Sequence, residues 1–117
     1  MASLLMLRAF VAAPDEATAL AQQARLLQTL QAFVPSVRRP PERYWKEPEW
    51  VELTLQLAPA TAATFDRLMA LPPQGWIDGG DETDRSAVWN NVHGEQRHPG
   101  LLPELQWAEL SLTVRPD

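Results

Sequence analysis

Cysteine is absent from all 117 residues. That removes a disulfide framework, a thiolate nucleophile and any cysteine-based zinc or iron–sulfur site. Basic residues are in deficit: 10 Lys and Arg stand against 15 Asp and Glu, a net charge of −5. An acidic chain has little general affinity for nucleic acid, and a basic partner suits it better. Long apolar runs are missing too, since nothing approaches the ~20 residues of a membrane span. Met1 to Ala13 is apolar and ends in Val11-Ala12-Ala13. No basic residue precedes that run and Arg8 interrupts it, so it reads as a strand rather than an export signal. A soluble, cytoplasmic protein without membrane contact is the expectation.

Motifs of known chemistry are equally scarce. No serine sits in a Gly-x-Ser-x-Gly turn, and Gly79-Gly80 lacks the Gly-Lys-Ser/Thr that completes a phosphate loop. His93-Gly94-Glu95 has the His-x-Glu of a zinc deaminase without the Pro-Cys-x-x-Cys that must accompany it. His93 and His98 with nearby acids can be written as a metal or acid–base site, but histidines in a Pro/Gly-rich stretch are ordinarily polar loop residues. The acidic run Asp78-Gly79-Gly80-Asp81-Glu82-Thr83-Asp84 lacks the spacing and terminal glutamate of a calcium loop. It reads as a solvated loop or as an electrostatic lure for a basic partner. Arg38, Arg39, Arg43 and Lys46, interleaved with Tyr44 and Trp45, can grip a phosphorylated ligand or form a solvated connection. The net charge favours the connection. No metal and no cofactor is expected.

What the chain does contain is a near-repeat. Glu49-Trp50-Val51-Glu52-Leu53-Thr54-Leu55-Gln56-Leu57 runs almost in parallel with Gln106-Trp107-Ala108-Glu109-Leu110-Ser111-Leu112-Thr113-Val114. Both alternate apolar and polar residues, the pattern of a strand buried on one face. Val51, Leu53, Leu55 and Leu57 then point into a core with Ala108, Leu110, Leu112 and Val114. Trp50 and Glu52 are left on the other face, as are Trp107 and Glu109. Either these paired Trp-x-Glu faces form a surface for binding, or each tryptophan packs under a long loop and closes a second small core.

The rest of the pattern supplies the frame. Leu4 to Val11 makes a first strand, with Leu5, Leu7, Ala9 and Val11 on one side and Leu4, Met6, Arg8 and Phe10 on the other. Pro14-Asp15-Glu16 opens a helix with acids at its positive end. Leu20, Ala24, Leu27 and Leu30 or Gln31 hold helical spacing, widened by Leu26 and Phe33, with Gln22, Gln23, Arg25 and Gln28 turned to solvent. Pro35 stops it. Pro40-Pro41 forbids a helix in the segment that follows, and Arg43 to Glu47 is a candidate short edge strand. Pro59 and Thr61 introduce a second helix that buries Phe65, Leu68 and Met69 and ends at Leu71. The stretch 72–104 shows little regular pattern beyond a short strand at Ala87-Val88-Trp89, and a loop of that length is ordinarily functional or misparsed. Leu105 to Val114 closes the chain as a strand. With 45% hydrophobic residues, the chain is expected to fold as a single domain over residues 1–117. The expected class is α+β: a sheet with two helices packed on one face, a variant of the ferredoxin-like sandwich. Its uncovered face would carry Trp50, Glu52, Trp107 and Glu109, with Arg8 beside them.

Its size, acidic balance, five tryptophans and lack of catalytic motifs give this chain a resemblance. So do the stretches Trp76-Ile77-Asp78-Gly79-Gly80-Asp81 and Val88-Trp89-Asn90. It resembles the small immunity proteins of bacterial contact-dependent inhibition and polymorphic toxin systems. The resemblance implies a non-enzymatic protein that binds one toxin domain, often a basic nuclease, and blocks its active site or substrate groove. It carries over no residue by position; charge and aromatic character make Asp78, Asp81, Glu82 and Asp84 the candidates for electrostatics and Trp76 and Trp89 the candidate anchors. Trp50, Glu52, Trp107 and Glu109 are the alternative surface. A different class of function stays open: a small-ligand enzyme or sensor in which His93, His98, Glu52 and Glu109 line a pocket under the 72–104 stretch. A scaffold that self-associates through its tryptophan faces is a third.

Overall fold

The computed structural model describes residues 3–71, 76–80, 84–90, 92–93, 96–97 and 104–114. Its architecture is α+β. Strand β1 (Leu4–Ala12) leads into helix α1 (Glu16–Thr29) and a 3-10 turn at Gln31–Phe33. Then come β2 (Ser36–Arg43), β3 (Trp50–Leu57) and helix α2 (Ala62–Met69). Strands β4 (Trp76–Gly80) and β5 (Asp84–Asn90) follow, then a short pair β6 (Val92–His93) and β7 (Gln96–Arg97), and finally β8 (Leu105–Thr113). Six strands form one sheet in the order β2-β3-β1-β8-β5-β4, antiparallel at every junction. No helix of the described residues is long and apolar enough to cross a membrane.

Alternation in β1, β3 and β8 decides where the core lies. Leu5, Leu7, Ala9 and Val11 of β1 are buried with Val51, Leu53, Leu55 and Leu57 of β3 and Leu105, Ala108, Leu110 and Leu112 of β8. Ala19, Leu26 and Leu30 from the first helical segment and Phe65 and Leu68 of α2 pack on this same face. Each fully buried leucine stabilises the fold by about 1.5–3 kcal/mol relative to exposure, so this layer carries the stability. Both helices start at side-chain caps, Asp15 Oδ1 accepting from the Thr18 amide at 2.7 Å and Thr61 Oγ1 from the Thr64 amide at 3.2 Å.

The buried stripe of α1 differs from the expected one. It runs Ala19, Gln22, Leu26, while Leu20 faces solvent. Gln22 is only 3% exposed because its amide donates to the Ala12 carbonyl at the end of β1 at 3.0 Å. A polar side chain is buried there because it satisfies a strand terminus.

Two segments are more regular than their sequences suggest. Arg43 to Glu47 is not the edge strand; that role falls to Ser36–Arg43, with Pro40-Pro41 inside it. Its pairing with β3 shifts register twice, between Val37 and Arg39 and between Arg39 and Glu42. An outermost, bulged strand is where a residue without an amide hydrogen is tolerated. The stretch 72–104 is likewise no simple loop, since β4 and β5 pair with each other and extend the sheet beyond β8. Gly80 sits before their turn at φ +92°, and a Cβ there would run into the Asp84 carbonyl oxygen, so only glycine fits.

Candidate functional site

The uncovered face is organised around β1. Strand β3 flanks it on one side and β8 on the other, so the two halves of the near-repeat lie either side of Arg8 and Phe10. Glu52 stands opposite Phe10 and Glu109 opposite Arg8. A register shift at Phe10/Val11 pairs Phe10 with Trp107 and Val11 with Leu105. That extra residue on β8, Gln106, lets Leu105 point into the core while Trp107, two positions on, stays on the open face.

An ion cluster results. Arg8 Nε donates to Glu52 Oε2 at 2.9 Å and Arg8 Nη1 to Glu109 Oε1 at 3.3 Å. Arg39 of β2 brings Nη2 to 3.6 Å from the same Glu52 oxygen, and Thr54 Oγ1 donates to it at 3.4 Å. The hydrogen bond that the Arg8 guanidinium donates to Glu52 is the largest influence on it, and with the nearby carboxylate charges it outweighs desolvation and raises its pKa.

An aromatic cluster adjoins the ions. The Phe10 ring lies 4.7 Å from Tyr44, 5.3 Å from Trp107 and 6.2 Å from Trp50, centroid to centroid. Tyr44 and Trp50 are nearly parallel at 12° and 6.3 Å. Phe10 is buried beneath its neighbours even though it belongs to the face without helices. Tyr44, Trp50 and Trp107 stay half-buried. Arg8, Phe10, Tyr44, Trp50 and Trp107 together line a shallow cavity of about 230 Å³. The aromatic strip continues through Tyr44, 6.4 Å from Trp45, which is 79% exposed.

The other expected site residues do not gather. Trp89 is 1% exposed and belongs to the core, because β5 pairs with β8 and turns Trp89 toward the helix side alongside Ala87. As a partner anchor it is therefore corrected to a structural residue. Trp76 stands opposite Trp89 and packs against the same core. Asp78 faces that side too, paired with Arg85 at 2.9 Å, and Arg85 also reaches Asp66 of α2 at 3.0 Å. Arg85 lies over the Phe65 ring at 4.2 Å, tying the β4–β5 pair to α2. Asp84, opposite Thr113, projects on the opposite face from Asp78. The strand pleat thus divides the acidic run, and Asp81 and Glu82 lie outside the described residues. His98 lies outside them as well, and His93 is described only as backbone in β6.

The basic segment is dispersed in the same way. Arg38 donates to Gln56, Arg43 to the Ala13 and Pro48 carbonyls, and Lys46 sits over Trp45 at 5.1 Å. Among the described residues, no group of three or more His, Cys, Asp or Glu is placed to hold a metal ion. No family model, curated protein or solved structure gives a match to this chain.

Proposed function

We propose that this chain is an immunity protein that binds a cognate bacterial toxin domain through the open face of its sheet and neutralises it by covering the active site. The observation that carries the reading is the make-up of that face: Phe10, Tyr44, Trp50 and Trp107 ring a central arginine in one shallow cavity. Tryptophan, tyrosine and arginine are the residues most enriched among interface hot spots. Their arrangement on a rigid sheet limits the entropy lost on docking. The net charge of −5 favours a basic partner, as a nuclease domain would be, and speeds encounter with it. The expected setting is the cytoplasm.

The fold supports a more specific assignment as well. The order β2-β3-β1-β8, with helices in the β1–β2 and β3–β8 connections, supports reading the fold as a variant of the ferredoxin-like sandwich. On this reading the β4–β5 pair is an insertion before the last strand that widens the sheet.

A growth assay tests the proposal. The C-terminal domain of the protein encoded beside this gene is expressed with and without this chain. Rescue of growth together with a co-purifying complex is expected, and the variant Trp50→Leu/Trp107→Leu should lose both. Asp78→Asn should retain rescue, because that carboxylate is occupied by Arg85. Toxicity without rescue, or a harmless neighbour, would move the assignment to the second reading, a small-ligand enzyme or sensor. The cavity is the observation in its favour, and at about 230 Å³ it is smaller than the ~300–1,000 Å³ of ordinary ligand pockets.

A further inference from the structure

The cavity on the open face has aromatic walls and one charged lining residue, and that combination restricts its guest. Its volume of about 230 Å³ accommodates a single ring and excludes a dinucleotide or a length of peptide chain. Phe10, Tyr44, Trp50 and Trp107 offer ring faces and edges, which favour a planar guest in stacked or edge-on contact. Arg8 completes the lining. A guanidinium has five N–H donors. Here Nε is engaged by Glu52 and Nη1 by Glu109, while Nη2 has no partner among the described residues.

Charge narrows the choice further. A cation would meet the Arg8 charge, already seated 5.4 Å from the Phe10 ring. A carboxylate would meet Glu52 and Glu109 on the same guanidinium. With Arg39 at 3.6 Å from Glu52, the formal charges of Arg8, Arg39, Glu52 and Glu109 cancel, so the site has no net pull on an ion. The fitting guest is an uncharged planar ring that carries a hydrogen-bond acceptor. Among protein side chains, phenylalanine has no acceptor, the indole of tryptophan only donates, and histidine titrates into a cation near neutral pH. Tyrosine remains.

We propose that the cavity receives one tyrosine ring of the partner, packed against Trp50 and Trp107, with its hydroxyl oxygen accepting from Arg8. The proposal rests on the reading of the open face as a partner-binding surface, and it names the anchor that surface selects.

The test uses the whole chain, labelled with nitrogen-15 and followed through its indole N–H signals. N-acetyl-tyrosinamide, N-acetyl-phenylalaninamide and adenosine are titrated separately. The tyrosine probe should shift the Trp50 and Trp107 signals with a Kd about tenfold below that of the phenylalanine probe, a step worth about 1.4 kcal/mol. Arg8→Lys, checked for folding by circular dichroism, should erase that difference. If the variant does not fold, the two probes on the unaltered chain decide alone. Equal affinity for both probes would overturn the proposal, as would no binding at all or shifts confined to Trp45. Tighter binding of adenosine would overturn it in favour of a nucleobase site. The underlying reading fails separately: tyrosine selectivity without growth rescue removes the toxin partner and keeps the site. Rescue without tyrosine selectivity does the reverse.

Discussion

One sheet presents two faces built to different rules. Across its central strands the helix-covered face is aliphatic, with Leu5, Leu7, Leu53, Leu55, Leu57, Leu110 and Leu112 fully buried, and Phe65 and Trp89 close it toward α2 and β5. The open face places Arg8 between Glu52 and Glu109 and Phe10 among three other aromatic rings. The first needs only residues of suitable size and polarity, because burial free energy is non-directional. The second depends on register, since a one-residue slip of β3 or β8 would carry a carboxylate away from Arg8 and into the core. Stability should therefore concentrate on one face and recognition on the other.

The largest expected effect tests the first half of that contrast. Leu7→Ala should lower unfolding free energy by about 3 kcal/mol, from lost transfer energy and the cavity left behind. Chemical denaturation measures it, and a loss below about 1 kcal/mol would mean that the aliphatic layer is looser than its burial implies. Arg8→Met probes the other face. It leaves Glu52 and Glu109 without their shared cation, and at a half-exposed site the cost should be about 1.5 kcal/mol. Trp107→Leu should cost less, about 1 kcal/mol for the lost ring contact with Phe10. Its larger consequence should be loss of partner binding in the growth assay. A Trp107→Leu protein destabilised as much as Leu7→Ala would show the aromatic cluster to be a second core rather than a recognition surface.

The same contrast explains what could be read from the sequence. Strands β3 and β8 were legible because apolar residues alternate with polar ones, a pattern that placed Trp50, Glu52, Trp107 and Glu109 on one face; β1 was legible as an apolar run whose single charge, Arg8, marks that same face. The β4–β5 pair was not. Gly79-Gly80 has no side chains to alternate, and Arg85 shares its face with buried Ala87 and Trp89, which blurs the polarity difference. Trp89 looked like an anchor for the same reason, its neighbours giving no sign of which side was covered. Strand β2 was hidden by Pro40-Pro41, since tolerance of proline depends on being outermost, a property of the sheet and not of the segment. Phe10 and Tyr44 were the missed members of the site. Phe10 shares its parity with Arg8, which was signal enough. Tyr44 reaches the cluster only through the turn before β3, where its amide donates to the Trp50 carbonyl at 2.9 Å, and nothing local announces that.

The finest comparison lies between the two carboxylates that hold Arg8. The near-repeat makes them look equivalent, yet their surroundings differ. Glu52 is 13% exposed and Glu109 32%, and the Arg8 contact is 2.9 Å to the first and 3.3 Å to the second. Glu52 also has Arg39 and Thr54 within reach, whereas Glu109 has Arg8 as its sole cation among the described residues. A shorter, less hydrated contact is screened less, so Glu52→Gln should cost about 1 kcal/mol and Glu109→Gln only a few tenths, roughly 0.3 kcal/mol. Raising salt to 1 M, where the screening length falls to about 3 Å, should shrink the Glu109 effect first. Equal losses, with equal salt dependence, would mean that Arg8 divides itself evenly between the strands. The asymmetry of the cluster would then have no energetic weight, and the guanidinium would be as free to leave Glu52 as Glu109 when a guest enters the cavity.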